Sequence, residues 1–135
     1  MAELDPEVRQ LLAGANFVSL ATLTADGAPH ATTVWGDIER EHPCFFTQPS
    51  SFKARNIDGD PRVAMTVADR DNPYRTGQLR GHVIETIWDD EALEIIDRMS
   101  RKYTGEDFPM RSGVVYVIEV ASSRCTELPF SDSPG

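Results

Sequence analysis

The residues best placed to do chemistry lie together in the stretch Thr47–Pro61, TQPSSFKARNIDGDP. A serine pair at the cap position predicts a helix start there, and Asp58-Gly59-Asp60-Pro61 predicts its end. With Ser50 as N-cap, Lys53 falls at the third helical position and Arg55 two further on, cations where a helix dipole favours anions. Backbone N–H groups of a first helical turn are free, so a phosphate placed there would offset the added positive charge. Ser51 stands beside them in the same turn, and Asn56, three residues after Lys53, shares its face and could donate to the same ligand. Phe52 and Ile57 would hold the segment against the rest of the fold. The alternative is a short solvated helix carrying two surface cations.

Other cations could serve a second anionic stretch of the same ligand: Arg75 beside Tyr74, Arg80, and the pair Arg101-Lys102. Taken singly, each also reads as a surface charge. Trp35 offers a flat face for stacking, or equally a core or interface aromatic. Much familiar chemistry has no footing here. His30, His42 and His82 stand apart from one another in sequence, without HxxxH, CxxC or paired-acid spacing. The GxSxG, Walker A and GxGxxG patterns are missing as well. An enzyme built this way would borrow its reactive group from a cofactor.

The elements that must position these residues follow from pattern. Asp5-Pro6-Glu7 predicts a capped helix through VRQLLAGA that stops near Gly14. Asn16 to Glu39 reads as a β-hairpin turning at ADGAP, and PCFFT as a short strand. After the cationic helix come the strand PRVAMTVADR, the loop DNPYRTG, and the strand QLRGHVIETIW, with Gly81 marking a bulge or close approach. DDEALEIIDRMSRKYTG is the best helix, capped by Asp89 or Asp90, stopped by Gly105, with Leu93, Ile96, Met99 and Tyr103 at helical spacing. VVYVIEVASSRCTEL closes the series as a strand with both faces apolar. Six mostly antiparallel strands and three helices predict a mainly β protein, a closed or nearly closed barrel that removes exposed strand edges.

The 135 residues are expected to form one domain over 1–128, with a loose tail at 129–135. A formal charge of −9 argues against a nucleic-acid partner. No apolar run reaches the roughly 18 residues of a membrane span, and the N-terminus lacks a signal-peptide pattern. A cytoplasmic location with no membrane partner is the expectation. Cys44 and Cys125, far apart in sequence, read as reduced thiols.

The order FVSLATLTADGAPHATTVW, CFFTQPSSFKARNIDGDPRVAMTV, NPYRTGQLRGHV and IDRMSRKYTGEDFP resembles the split β-barrel flavin and deazaflavin oxidoreductases. More narrowly, it resembles their pyridoxamine-phosphate-oxidase-like, F420-dependent branch in actinobacteria. The resemblance implies a six-stranded split barrel (the FMN-binding split barrel) that forms a homodimer, with cofactor sites at the interface. It places the cofactor phosphate on Lys53, with Arg55 and Asn56 beside it, and the ring system against Val34, Trp35, Phe46 and Thr47. Tyr74, Arg75 and Lys102 would lie near the cofactor, partly from the partner subunit. The chain ends in PFSDSPG without the basic, tryptophan-containing signature of true pyridoxamine-phosphate oxidases, so oxidation of vitamin B6 phosphates is not expected. Both FMN and F420 carry a ribityl phosphate, and the polyglutamate tail of F420 would give Arg75, Arg80 and Arg101 carboxylates to bind. The implied activity is F420-dependent hydride transfer to a small electrophile: a conjugated carbonyl, quinone-like, nitro or tetrapyrrole compound. A substrate proton would come from solvent or from Tyr74. An FMN-dependent reductase or oxidase on the same fold, and a non-catalytic F420 carrier, are the alternatives.

Overall fold

The protein, described by a computed structural model over residues 2–130, is a six-stranded antiparallel barrel with three helices. The elements run α1 (Pro6–Ala13), β1 (Phe17–Leu23), β2 (Pro29–Glu39), β3 (His42–Thr47) and α2 (Phe52–Gly59). Then follow β4 (Arg62–Ala68), β5 (Arg75–Ile87), α3 (Asp89–Thr104) and β6 (Val114–Glu127). Around the barrel the order is β1-β2-β3-β6-β5-β4, closed by β1 pairing with β4. Of the expected tail 129–135, residues 131 onward lie outside the described residues.

The two-faced hydrophobicity of the last strand now has its cause. Val114, Tyr116, Ile118 and Val120 point into the barrel, where Leu20, Phe45 and Met65 meet them. Val115 and Val117 point outward beneath α3, against Ile95, Ile96 and Met99. Alternation along a strand thus serves two cores at once. One end of the barrel is plugged by α1, whose Val8, Leu11 and Leu12 are fully buried. Each such side chain contributes about 1.5–3 kcal/mol over leaving it in water. Asp5 caps that helix by accepting from the N–H groups of Glu7 and Val8.

Several local expectations need correction. Ser51, not Ser50, caps α2: its Oγ accepts from the Ala54 N–H at 3.2 Å. Ala54, Asn56 and Ile57 face inward, whereas Phe52, expected to hold the segment against the fold, is exposed, its ring centroid 4.8 Å from that of His30. Neither Asp89 nor Asp90 caps α3. The extended residue there is Trp88, which has no capping oxygen; Asp89, Asp90 and Glu91 instead supply charge to the first turn. β5 begins at Arg75 rather than Gln78, because the intervening residues pair with Ala68 on one side and Glu127 on the other. Gly81 does sit where the β5–β6 register shifts, and a Cβ there would meet the Glu119 carbonyl oxygen at 2.1 Å. Among the described residues no helix is long and apolar enough to cross a membrane.

A candidate ligand cleft between two splayed strands

The β2–β3 ladder is short. It joins Gly36–Glu39 to His42–Phe45 and then stops, so β2 from Pro29 to Trp35 has β1 on one side and, among the described residues, no strand on the other. The two strands splay from this point, and the opening is a cleft of about 350 Å³. Thr33, Val34 and Trp35 form one wall and Phe46, Thr47 and Gln48 the other, while Lys53 of α2 stands at the rim. Phe108 and Met110, from the loop after α3, roof one side. That loop is fastened twice. Asp97 accepts two hydrogen bonds at 3.0 Å from Arg111, and Gln48 exchanges two at 2.8 Å with Ser112. The Arg111 guanidinium holds the Asp97 carboxyl below its ordinary range.

Trp35 owes its position to Tyr103, which stacks on it with centroids 5.1 Å apart and planes 8° from parallel. Phe46 and Phe108 meet the indole edge-on. The Tyr103 hydroxyl is wedged into the end of the β1–β2 ladder: it accepts from the Gly36 N–H at 3.1 Å and donates to the Asn16 carbonyl. Burial raises the Tyr103 phenol above its ordinary pKa, so it remains a donor. Tyr103→Phe is therefore expected to lower stability by about 1–2 kcal/mol, since it strands a backbone N–H and a carbonyl. Urea denaturation of the two proteins measures this, and an unchanged midpoint would contradict the bridging role.

The Lys53 ammonium makes no hydrogen bond or ion pair among the described residues, although the chain has 22 acidic side chains. Among the described residues no Asp, Glu, His or Cys lines the cleft, and Lys53 is its one charged group. Ser51 is close by, its Oγ accepting from the Thr47 hydroxyl at 3.0 Å, yet its work is capping. The site thus combines an aromatic, carboxylate-free slot with an uncompensated ammonium at a helix start, a fit for a flat ring that carries an anionic substituent.

The remaining expected residues lie elsewhere in the single chain. Lys53 and Arg55, two apart on a helix, face different sides; Arg55 lies over the Phe52 ring and lines a separate groove against the β1–β2 turn. Asn56 is buried and donates to the Thr22 hydroxyl at 3.0 Å. Lys102 turns inward: its ammonium donates to Gly36 O at 2.6 Å and Leu12 O at 3.1 Å, beside Asp37. Burial lowers its pKa, opposed by Asp37. It clamps α3 to the barrel. Arg75 is enclosed by Glu7, Asp69 and Glu127, and Tyr74 packs on Phe130. Arg80 sits on β5, three strands from β2 either way round the barrel. Sequence reasoning missed Phe17, Thr33, Gln48, Phe108 and Met110; the splay of two strands has no short-range signal.

A sequence profile of pyridoxamine 5'-phosphate oxidase matches residues 4–125. The chain belongs to that family. Among solved structures of this fold, an F420 reductase is 28% identical, with a TM-score of 0.78 over 90% of this chain and 98% of the other. A conserved hypothetical protein, Rv2991 of Mycobacterium tuberculosis, is 24% identical, with a TM-score of 0.78 over 100% of this chain and 96% of that one. A heme-binding protein of Mycobacterium smegmatis is 25% identical, with a TM-score of 0.60 over 90% of this chain and 56% of its own. No curated protein matches the sequence. Solved structures of this fold include both an F420 reductase and a heme-binding protein, so cofactor and reaction must be argued from the cleft itself.

Proposed function

We propose that the protein is an F420-dependent reductase, a cytoplasmic homodimer that binds the deazaflavin in the β2–β3 cleft. The observation carrying this reading is the uncompensated Lys53 ammonium at the rim of an aromatic slot free of carboxylates. The likeness to an F420 reductase supports the same choice. Lys53, next to the open N–H groups of α2, would hold the ribityl phosphate. Trp35 and Phe46 would bound the ring, with Val34 and Thr47 at the base. Reduced F420, when bound, supplies a hydride to an electrophilic substrate such as a conjugated carbonyl, a quinone-like or nitro compound, or a tetrapyrrole.

The chain's own contribution is orientation and exclusion of water. Phe108 and Met110 cover one side of the slot, and the other is open where Phe17 is exposed. A second copy packed there would complete the enclosure, the arrangement expected of the homodimer. Since no acid or base lines the cleft other than Lys53, the proton that completes reduction is drawn from solvent.

Titration of the purified protein with F420 and with FMN, followed by the fluorescence of each, tests the proposal. Micromolar or tighter F420 binding with weak FMN binding is expected, and steady-state oxidation of reduced F420 with a suitable acceptor. Preference for FMN would move the assignment to a flavin-dependent reductase. Tight F420 binding without turnover would make the protein a carrier, a reading that a cleft lining with no acid or base besides Lys53 equally supports.

A further inference from the structure

The aromatic wall of the cleft continues past Trp35. Phe17 stands opposite Trp35 in the β1–β2 register, so both side chains lie on one face of the sheet and both line the slot. The Phe17 ring packs on Tyr103 with centroids 5.7 Å apart, yet the residue is 54% exposed. Beside it is Arg70, its guanidinium carbon 5.8 Å from the Phe17 ring centroid. The loop after β4 that carries Arg70 is tied to the start of β1. The Arg70 backbone N–H donates to Asn16 Oδ1 at 3.0 Å, and Asn16 is buried, its amide donating to the Leu11 carbonyl. Among the described residues the guanidinium donates once, to the Ala15 carbonyl at 3.2 Å.

Among the described residues no carboxylate pairs with Arg70, although acids outnumber bases 22 to 13. Its neighbour Asp69 is taken by Arg75 and by the Asp71 N–H. Arg62, Arg98 and Arg111 each have an acid of their own. Most of the Arg70 donors are therefore available, and a guanidinium fork matches a carboxylate with two parallel hydrogen bonds. The exposed Phe17 ring supplies the apolar half of the same surface, favourable when a flat group covers it. One cation at a helix start suffices for a phosphate. A second cation, on another element and set beside an exposed ring, suits the anionic group of a second flat molecule.

We propose that Phe17 and Arg70 form a substrate subsite at the open side of the cleft, one for a flat conjugated compound that bears a carboxylate. The π system lies against Phe17, and the carboxylate sits on the Arg70 fork. To call the bound compound the electrophilic substrate rests on the F420 reading; its binding does not. A second copy packed on this side would then enclose the compound together with the slot.

The test is NMR of the full chain, following the Arg70 Nε–Hε and Phe17 ring resonances. The probes are trans-cinnamate and its neutral amide, trans-cinnamamide, each titrated with and without F420. Saturable shifts at both residues are expected with cinnamate, and binding of the amide at least about tenfold weaker. Arg70→Gln should weaken cinnamate binding about tenfold and leave the amide unchanged, as loss of a charge-assisted contact does. Phe17→Leu should weaken both probes, and Arg70→Lys should restore part of the preference for the acid. Melting temperatures show that each variant is folded. Equal affinity for acid and amide, or no shift at Arg70, would overturn the proposal. So would a greater loss of cinnamate binding in Lys53→Ala than in Arg70→Gln, which would seat the carboxylate on the other cation. Cinnamate held at Arg70 by a protein that does not bind F420 would retain the subsite and remove only the F420 reading.

Discussion

Lys53→Ala is expected to weaken F420 binding about 10- to 100-fold while leaving the melting temperature unchanged, the loss of one charge-assisted contact of about 1.5–3 kcal/mol. The stability half of this follows from the structure: Lys53 contacts no carboxylate, and the inward face of α2 is Ala54, Asn56 and Ile57. The binding half follows from charge, since removing the ammonium leaves the cleft lining with none. Arg55→Ala, two residues away, should change affinity far less, because Arg55 faces another groove. Fluorescence titration of both variants decides the matter. Equal affinity in Lys53→Ala and the unmodified chain would remove the phosphate from this rim; a larger loss in Arg55→Ala would move it to the neighbouring groove.

The largest effect on stability belongs to Gly81. Any side chain there places Cβ 2.1 Å from the Glu119 carbonyl oxygen, a backbone atom with no rotamer to give way. Gly81→Ala must therefore spread β5 from β6 at the register shift between Arg80 and Gly81, in the most extensive strand pairing of the barrel. A cost of about 3–5 kcal/mol is expected, lowering the melting temperature by roughly 10 °C or more. Calorimetry of the alanine variant measures it. A drop of only a degree or two would mean that the bulge relaxes freely. The contrast is Gly59→Ala, where nothing lies within 4 Å of the added carbon and stability should barely move.

Gly81 also shows which features sequence can carry. A lone glycine inside a strand pattern points to a bulge or close approach, and this one has both. The six strands, three helices and barrel were legible for the same reason: period-2 alternation, turn residues and capping are local signals. The split barrel of the resemblance is the fold found. Lys53, Trp35 and Phe46 could be grouped because the resemblance supplied the arrangement. What was not legible depended on rotation and on distance in space. Lys53 and Arg55, two residues apart, point to different sides of α2, and Asn56 is turned into the core by the way the helix docks on the barrel. Lys102 reads as a spare cation at a helix end, yet its ammonium is spent on the Gly36 and Leu12 carbonyls, contacts 66 and 90 residues away in sequence. Arg80 reads as a cation for a second anionic stretch of the ligand, and within one chain closure of the barrel sets it three strands from β2.

The short β2–β3 ladder has one more consequence. Where β2 leaves β3, a stretch of extended backbone faces outward in a barrel otherwise sealed by pairing. Such a stretch is a template for strand addition by another chain, the first step of ordered aggregation. A ring seated in the cleft would cover the end of that stretch at Thr33–Trp35 and so guard it against self-templating. An empty cleft would then leave this edge open to a second chain, and a filled one would close it.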